Sequence, residues 1–237
     1  RNEWDAAAGE CRSVSEAAEQ TGNRRIEMFA RLALGWTYTE TADFDAALNS
    51  LDTTLELARD LKVKPTEAIT LFYLARCRYF CGERELAADL ARQAVQICHE
   101  TGMGFCGPGA LGMFALASES DEERNQALAE AEAILEKGCL GHNYYWFHRD
   151  AMESYLERRD WDGVERHATA LAEFMAEDPV PYATFYIERA RAIAAIGQNP
   201  ADEKARAELK RVRDYAENTQ LRAAIAAIDR AAASDQQ

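Results

Sequence analysis

The chain of 237 residues carries 41 acidic against 27 basic side chains, a formal charge of −14. Acid in this excess repels phosphate, which excludes nucleic acid as a partner; no run of eighteen apolar residues is present to cross a membrane, and no secretory segment is visible. A hydrophobic fraction of 48%, with only 5 prolines and 13 glycines, favours helix throughout, so the expected class is all-α.

In chain order, Trp4, Ala7, Cys11 and Val14 fit the second helix of a helix pair, a half unit over 1–21. The next unit, 25–61, has a helix with Ile26, Phe29, Ala30, Ala33 and Leu34 on its apolar face. A turn at Ala42-Asp43 leads to a helix from Phe44. Pro65 suits the first turn of the following unit, 65–101, which turns at Gly82-Glu83. Gly102 is placed to cap that unit, Pro108 to start the next (107–137), and Ser120 or Asp121 to cap its second helix. Units at 142–176 and 182–217 follow, and a helix over 219–233 closes the end before the polar tail Ser234–Gln237. Opening on Arg1 and on half a unit predicts a chain that continues upstream. The apolar face left there is also a candidate surface for a homodimer.

Ala7, Ala47, Ala87 and Ala127 recur at a spacing of forty, and Trp4 and Phe44 precede the first two by three residues. A repeat of this length is the signature of stacked helix pairs, in which each unit packs only on its neighbours. The fold expected is an α-solenoid of antiparallel pairs. Small residues are needed where two helices cross closely, so a large residue at Ala47 or Ala87 is expected to overpack the crossing.

These units resemble the tetratricopeptide (TPR) repeat. Leu34, Gly35, Tyr38, Phe44, Ala47, Leu51 and Leu55 fall on the family's positions. The next unit keeps Leu74, Ala75, Gly82, Ala87, Ala91 and Ala94. The likeness implies a right-handed superhelix. The small positions 35, 75, 115, 152 and 190 give steps of 40, 40, 37 and 38, longer than the usual repeat of about 34. Longer helices of this kind resemble the repeat arrays of large bacterial signalling proteins. The stretches 141–174 and 178–197 look like the end of the C-terminal array in multidomain class III adenylate/guanylate cyclases. Maltose-regulator-type transcription activators are a second such group.

Residues with chemistry are few. Six cysteines, at 11, 77, 81, 98, 106 and 139, include no C-x-x-C pair and read as reduced thiols of a cytoplasmic protein, packed as small hydrophobes. Gly102–Gly107 and Gly107–Gly112 both fit G-x-G-x-x-G, but the segment before them is helical, so they read as a link and not a nucleotide loop. His142, Tyr144, Tyr145, Trp146, Phe147 and His148 crowd one segment, either as a recognition patch or as packing at a repeat junction. His142 and His148 lack metal-ligand spacing, and no catalytic constellation is discernible. No catalytic residue, cofactor or metal is therefore expected.

The expected function is a non-catalytic protein-interaction or regulatory domain of a larger bacterial signalling protein, as the C-terminal arm of a cyclase-related chain. A ligand-sensing arm of a transcription activator and a free-standing adaptor are the alternatives. The family binds peptides along the concave face of its first helices. Carried onto this chain, that groove falls on Phe29, Leu32, Trp36, Phe72, Arg76, Tyr79, Trp146 and Arg149. The acidic balance suits a basic or apolar protein or peptide partner.

Overall fold

The computed structural model describes residues 3–233, so Arg1, Asn2 and the Ser234–Gln237 tail lie outside the described residues. Among those described, twelve α-helices and one 3-10 turn are present and no strand. In order they are α1 (Trp4–Gln20), α2 (Arg24–Glu40), α3 (Phe44–Asp60), α4 (Lys64–Phe80), α5 (Arg84–Thr101) and α6 (Gly107–Ala117). They continue with α7 (Asp121–Lys137), α8 (His142–Glu157), α9 (Trp161–Phe174), α10 (Pro181–Gln198) and α11 (Glu203–Asn218). A 3-10 turn at Arg222–Ala224 then leads into α12 (Ile225–Ala233).

The helix ends follow from local chemistry. Asn23, Asp43, Ser120, Asp160 and Asp202 cap α2, α3, α7, α9 and α11, each accepting from a backbone N–H two or three residues on. Pro65, Pro108 and Pro181 stand in first turns, where no N–H is missed. Gly102 ends α5 at φ +118°, a conformation costly for any residue with a Cβ.

Consecutive helices pack as antiparallel pairs, and α2, α4, α6, α8 and α10 also touch one another in succession. This makes the array an all-α, solenoid-like stack with those five helices as its inner row. Close crossings explain the small residues. A Cβ on Gly35 would lie 2.4 Å from the side chain of Leu51, and one on Gly163 would lie 2.3 Å from Tyr155. Gly109 and Gly112 lie inside α6, pressed against Trp146 and Phe147, so the glycine link is confined to residues 102–106.

Two features differ from the sequence reading. The terminal helix begins not near Thr219 but after Leu221. Gln220 takes a positive φ of 61° that ends α11, and Leu221 is fully buried, which pins the turn to the core. The array also does not stay open. The 3-10 turn near the C-terminus touches α2, and Trp4 belongs to the same core cluster as Tyr182, Tyr186 and Leu221. Gln220 Nε2 donates to Asp5 Oδ2 at 2.6 Å across this seam. The two ends of the array thus meet around the inner row.

Candidate functional site

Four of the five inner helices, all but α6, present side chains to one point. These are Glu40 (α2), Arg76 (α4), Arg149 and Asp150 (α8), and Tyr186 (α10), with Tyr182 one turn earlier on α10. All of the charged members are at most 1% exposed. Glu40 accepts from the phenols of Tyr182 and Tyr186, both at 2.9 Å. Arg149 donates to the Tyr182 oxygen at 2.7 Å and through Nε to Asp150 Oδ1 at 2.8 Å. Arg76 donates to the same Asp150 oxygen at 2.8 Å and to Tyr186 at 3.2 Å. Two carboxylates and two guanidiniums therefore balance inside the array, and the buried Arg189 adds a pair with the part-buried Glu153.

Burial and the neighbouring Arg149 weaken the Arg76 charge, but Glu40 and Asp150 outweigh them and raise its pKa. Burial raises Tyr182 to about 12 and Tyr186 well above the ordinary range, so both phenols stay protonated and act as donors. Glu40 ends α2, where a negative charge opposes the helix dipole; the two guanidiniums compensate it. Such clusters are costly to desolvate, and their cost is offset only when every member is paired.

Toward the N-terminal ends of α4, α8 and α10 lies an apolar cavity of about 710 Å³, walled by Trp4, Trp36, Ile69, Tyr145, Trp146 and Tyr182. The aromatic wall is continuous. Trp4 meets Trp36 edge to face at 5.6 Å, Trp36 stacks on Tyr73 at 6.3 Å, and Trp146 stacks on Phe72 at 5.0 Å. His142 lies over Trp146 at 4.3 Å, and its Nε2 meets the Phe105 carbonyl at 2.5 Å. Burial lowers its pKa, against the opposing effect of that carbonyl. The Tyr182 phenol joins this wall to the ionic cluster. A smaller cavity of about 260 Å³, lined by Tyr79, Glu153, Glu157 and Trp161 among others, lies beyond the cluster toward the opposite helix ends.

The residues proposed from sequence for a concave groove divide between these places. Phe72, Arg76 and Arg149 are fully buried. Trp36 and Trp146 line the larger cavity and Tyr79 the smaller one. Leu32 is half-buried against the core, and Phe29 is 47% exposed. The inner face is thus filled at its middle and open toward its ends. Glu40, Asp150, Tyr182 and Tyr186 escaped the sequence reading. Their signal was present as helical spacing, since Glu40 follows Trp36 by four and Tyr186 follows Tyr182 by four.

In the crowded segment of α8, His148 is not beside His142 but pairs with His167 of α9, Nδ1 to Nδ1 at 3.0 Å. Burial and Arg166 lower His148 to about 4; burial, His148 and Arg166 lower His167 to about 2. One ring must donate. The second nitrogen of His167 faces Glu132 at 3.6 Å, which favours an Nε2–H there and makes His148 the donor. Among the cysteines, Cys77, Cys98 and Cys106 are buried as expected, but Cys81 is exposed at the end of α4. Among the described residues no three His, Cys, Asp or Glu side chains could hold a metal ion, and no helix is long and apolar enough to cross a membrane.

No family model matches this chain, and no curated protein matches it closely enough to count as a relative.

Proposed function

We propose that this chain is a non-catalytic regulatory domain that senses a small apolar molecule in the cavity between Trp4, Trp36 and Trp146. The observation that carries the reading is the division of the inner face. Its middle is closed by a self-paired ionic cluster, which leaves no open charged groove for an extended peptide. Its N-terminal end holds a cavity of about 710 Å³, within the range of small-molecule sites. The cavity joins α1, α2, α4, α8 and α10, and α1, α2 and α10 among these meet where the array closes, so occupancy bears on how tightly the ends are held. A ligand that binds only the folded state raises the melting temperature. Thermal-shift screening of small apolar compounds against the native chain and an Ile69→Trp variant, in which the cavity is filled, tests this. The reading requires compounds that stabilise the native chain and not the variant; stabilisation of both alike would refute it.

A second reading, the protein-interaction domain, is favoured by the exposed Phe29 and Ile26 on α2 and Val14 on α1, each 47% exposed. Alanine at Val14, Ile26 and Phe29 together should then abolish partner capture by a chain that remains folded. Membership in a larger signalling protein of the cyclase-related kind rests on the sequence resemblance alone. The size of the native protein, read with an antibody to this segment, tests it.

A further inference from the structure

The cavity wall holds two hydrogen-bond donors with nothing to bond. The indole nitrogens of Trp4 and Trp36 are both buried without a partner, although Trp4 itself is only 8% exposed and both rings border the cavity. A buried N–H with no acceptor is unfavourable, and the edge of a neighbouring ring is at most a weak substitute. A third source of donors lies beside them. Helix α10 begins at the cavity with Val180, Pro181 and Tyr182, and no side chain caps its first turn. Its end therefore carries the partial positive charge of unsatisfied N–H groups. No oxygen nearby accepts from either indole. Thr37 donates to the Ala33 carbonyl, and the Tyr182 oxygen accepts from Arg149 while donating to Glu40. Neither Lys nor Arg lines the cavity, and Glu3 is the charged residue in its lining.

We infer that the cavity takes a flat, mainly apolar molecule bearing an acceptor oxygen, a carbonyl or a carboxylate. Its ring system lies along Trp146 and Tyr145, and its oxygen enters the seam between Trp4 and Trp36 to accept from their indole N–H groups. Both nitrogens are shielded from water, so the entering oxygen parts the two rings. Trp4 is the residue of α1 that touches both Trp36 and Tyr182, so this movement transmits occupancy to the closing seam. The inference rests on the small-molecule reading above and adds to it the chemistry of the ligand.

The test uses three probes of one shape: methyl naphthyl ketone, naphthoate and isopropylnaphthalene. Their affinities are measured by calorimetry on the full chain and on Trp4→Phe and Trp36→Phe, which keep an aromatic wall but remove one N–H each. Circular dichroism and melting confirm that each variant is folded. The expected result is that the ketone or the carboxylate binds about tenfold tighter than the hydrocarbon, and that this advantage is lost in the Phe variants. Whichever of the two oxygenated probes binds better identifies the acceptor. Equal binding of all three would overturn the acceptor assignment while leaving a small-molecule cavity standing. An acceptor advantage that persists in both Phe variants would overturn the role of the indoles. Failure of every probe to bind would overturn this inference, while the compound screen with Ile69→Trp decides the broader reading separately.

Discussion

Glu40, the last residue of α2, accepts a hydrogen bond from the phenol of Tyr182 on α10, across 142 residues of chain. In an open solenoid these helices would lie several units apart. Here the bond connects the array's first complete unit to its last. It also ties an apolar cavity to a buried ionic cluster through one side chain.

The cluster's balance of two acids and two bases makes its members interdependent. Glu40→Gln leaves Arg76 and Arg149 sharing the Asp150 carboxylate alone. We expect a loss of about 3–5 kcal/mol in urea unfolding, the range for breaking a buried ion pair. Adding Arg149→Met to Glu40→Gln restores neutrality, so the double variant should be less unstable than the two single losses summed, read as a double-mutant cycle.

The His148–His167 pair makes stability fall in acid. Both folded pKa values, about 4 and about 2, lie below the ordinary value of 6.5. Below pH 6.5 the unfolded chain therefore binds protons that the folded chain refuses, and stability drops as pH decreases. The histidine contribution is fully present above pH 6.5. It should decline by about 1.4 kcal/mol per pH unit for each ring, with His148 levelling off below its folded value near 4. His167→Phe should flatten this slope between pH 6 and pH 4, as followed by urea titration at a series of pH values.

Gly35 is held by Leu51. A Cβ at Gly35 would meet the fully buried Leu51 side chain at 2.4 Å, so Gly35→Ala forces α2 and α3 apart. The expected cost is about 1–3 kcal/mol. In a Leu51→Ala background the same substitution should be nearly free, because the obstructing branch is gone. Chemical denaturation of the four chains of this cycle gives the answer.

Trp4 closes the array, packing on Trp36 and Tyr182. Trp4→Ala should cost about 3–5 kcal/mol locally, as for other buried tryptophans. Hydrogen exchange should speed up together in α1 and in residues 221–233, which share its core cluster, and stay slow in α5 and α6. Faster exchange confined to α1 would show that the two ends do not support each other.

Much of the architecture was legible in the sequence because helix pairs are specified locally. Apolar spacing, the cap at Ser120, the prolines in first turns and the small residues at crossings act within one or two units. Even the inner face was visible, since Trp36, Arg76, Trp146 and Arg149 do point to the interior. What these residues do there was not visible. Whether an inner face is an open groove or a filled core depends on the accumulated curvature of the stack, and that is a sum over all units. Only the tertiary structure brings Tyr182 to Glu40, seats Trp4 against Trp36 and places His148 on His167. Such contacts are set by small rotations between many helices, which no local spacing encodes.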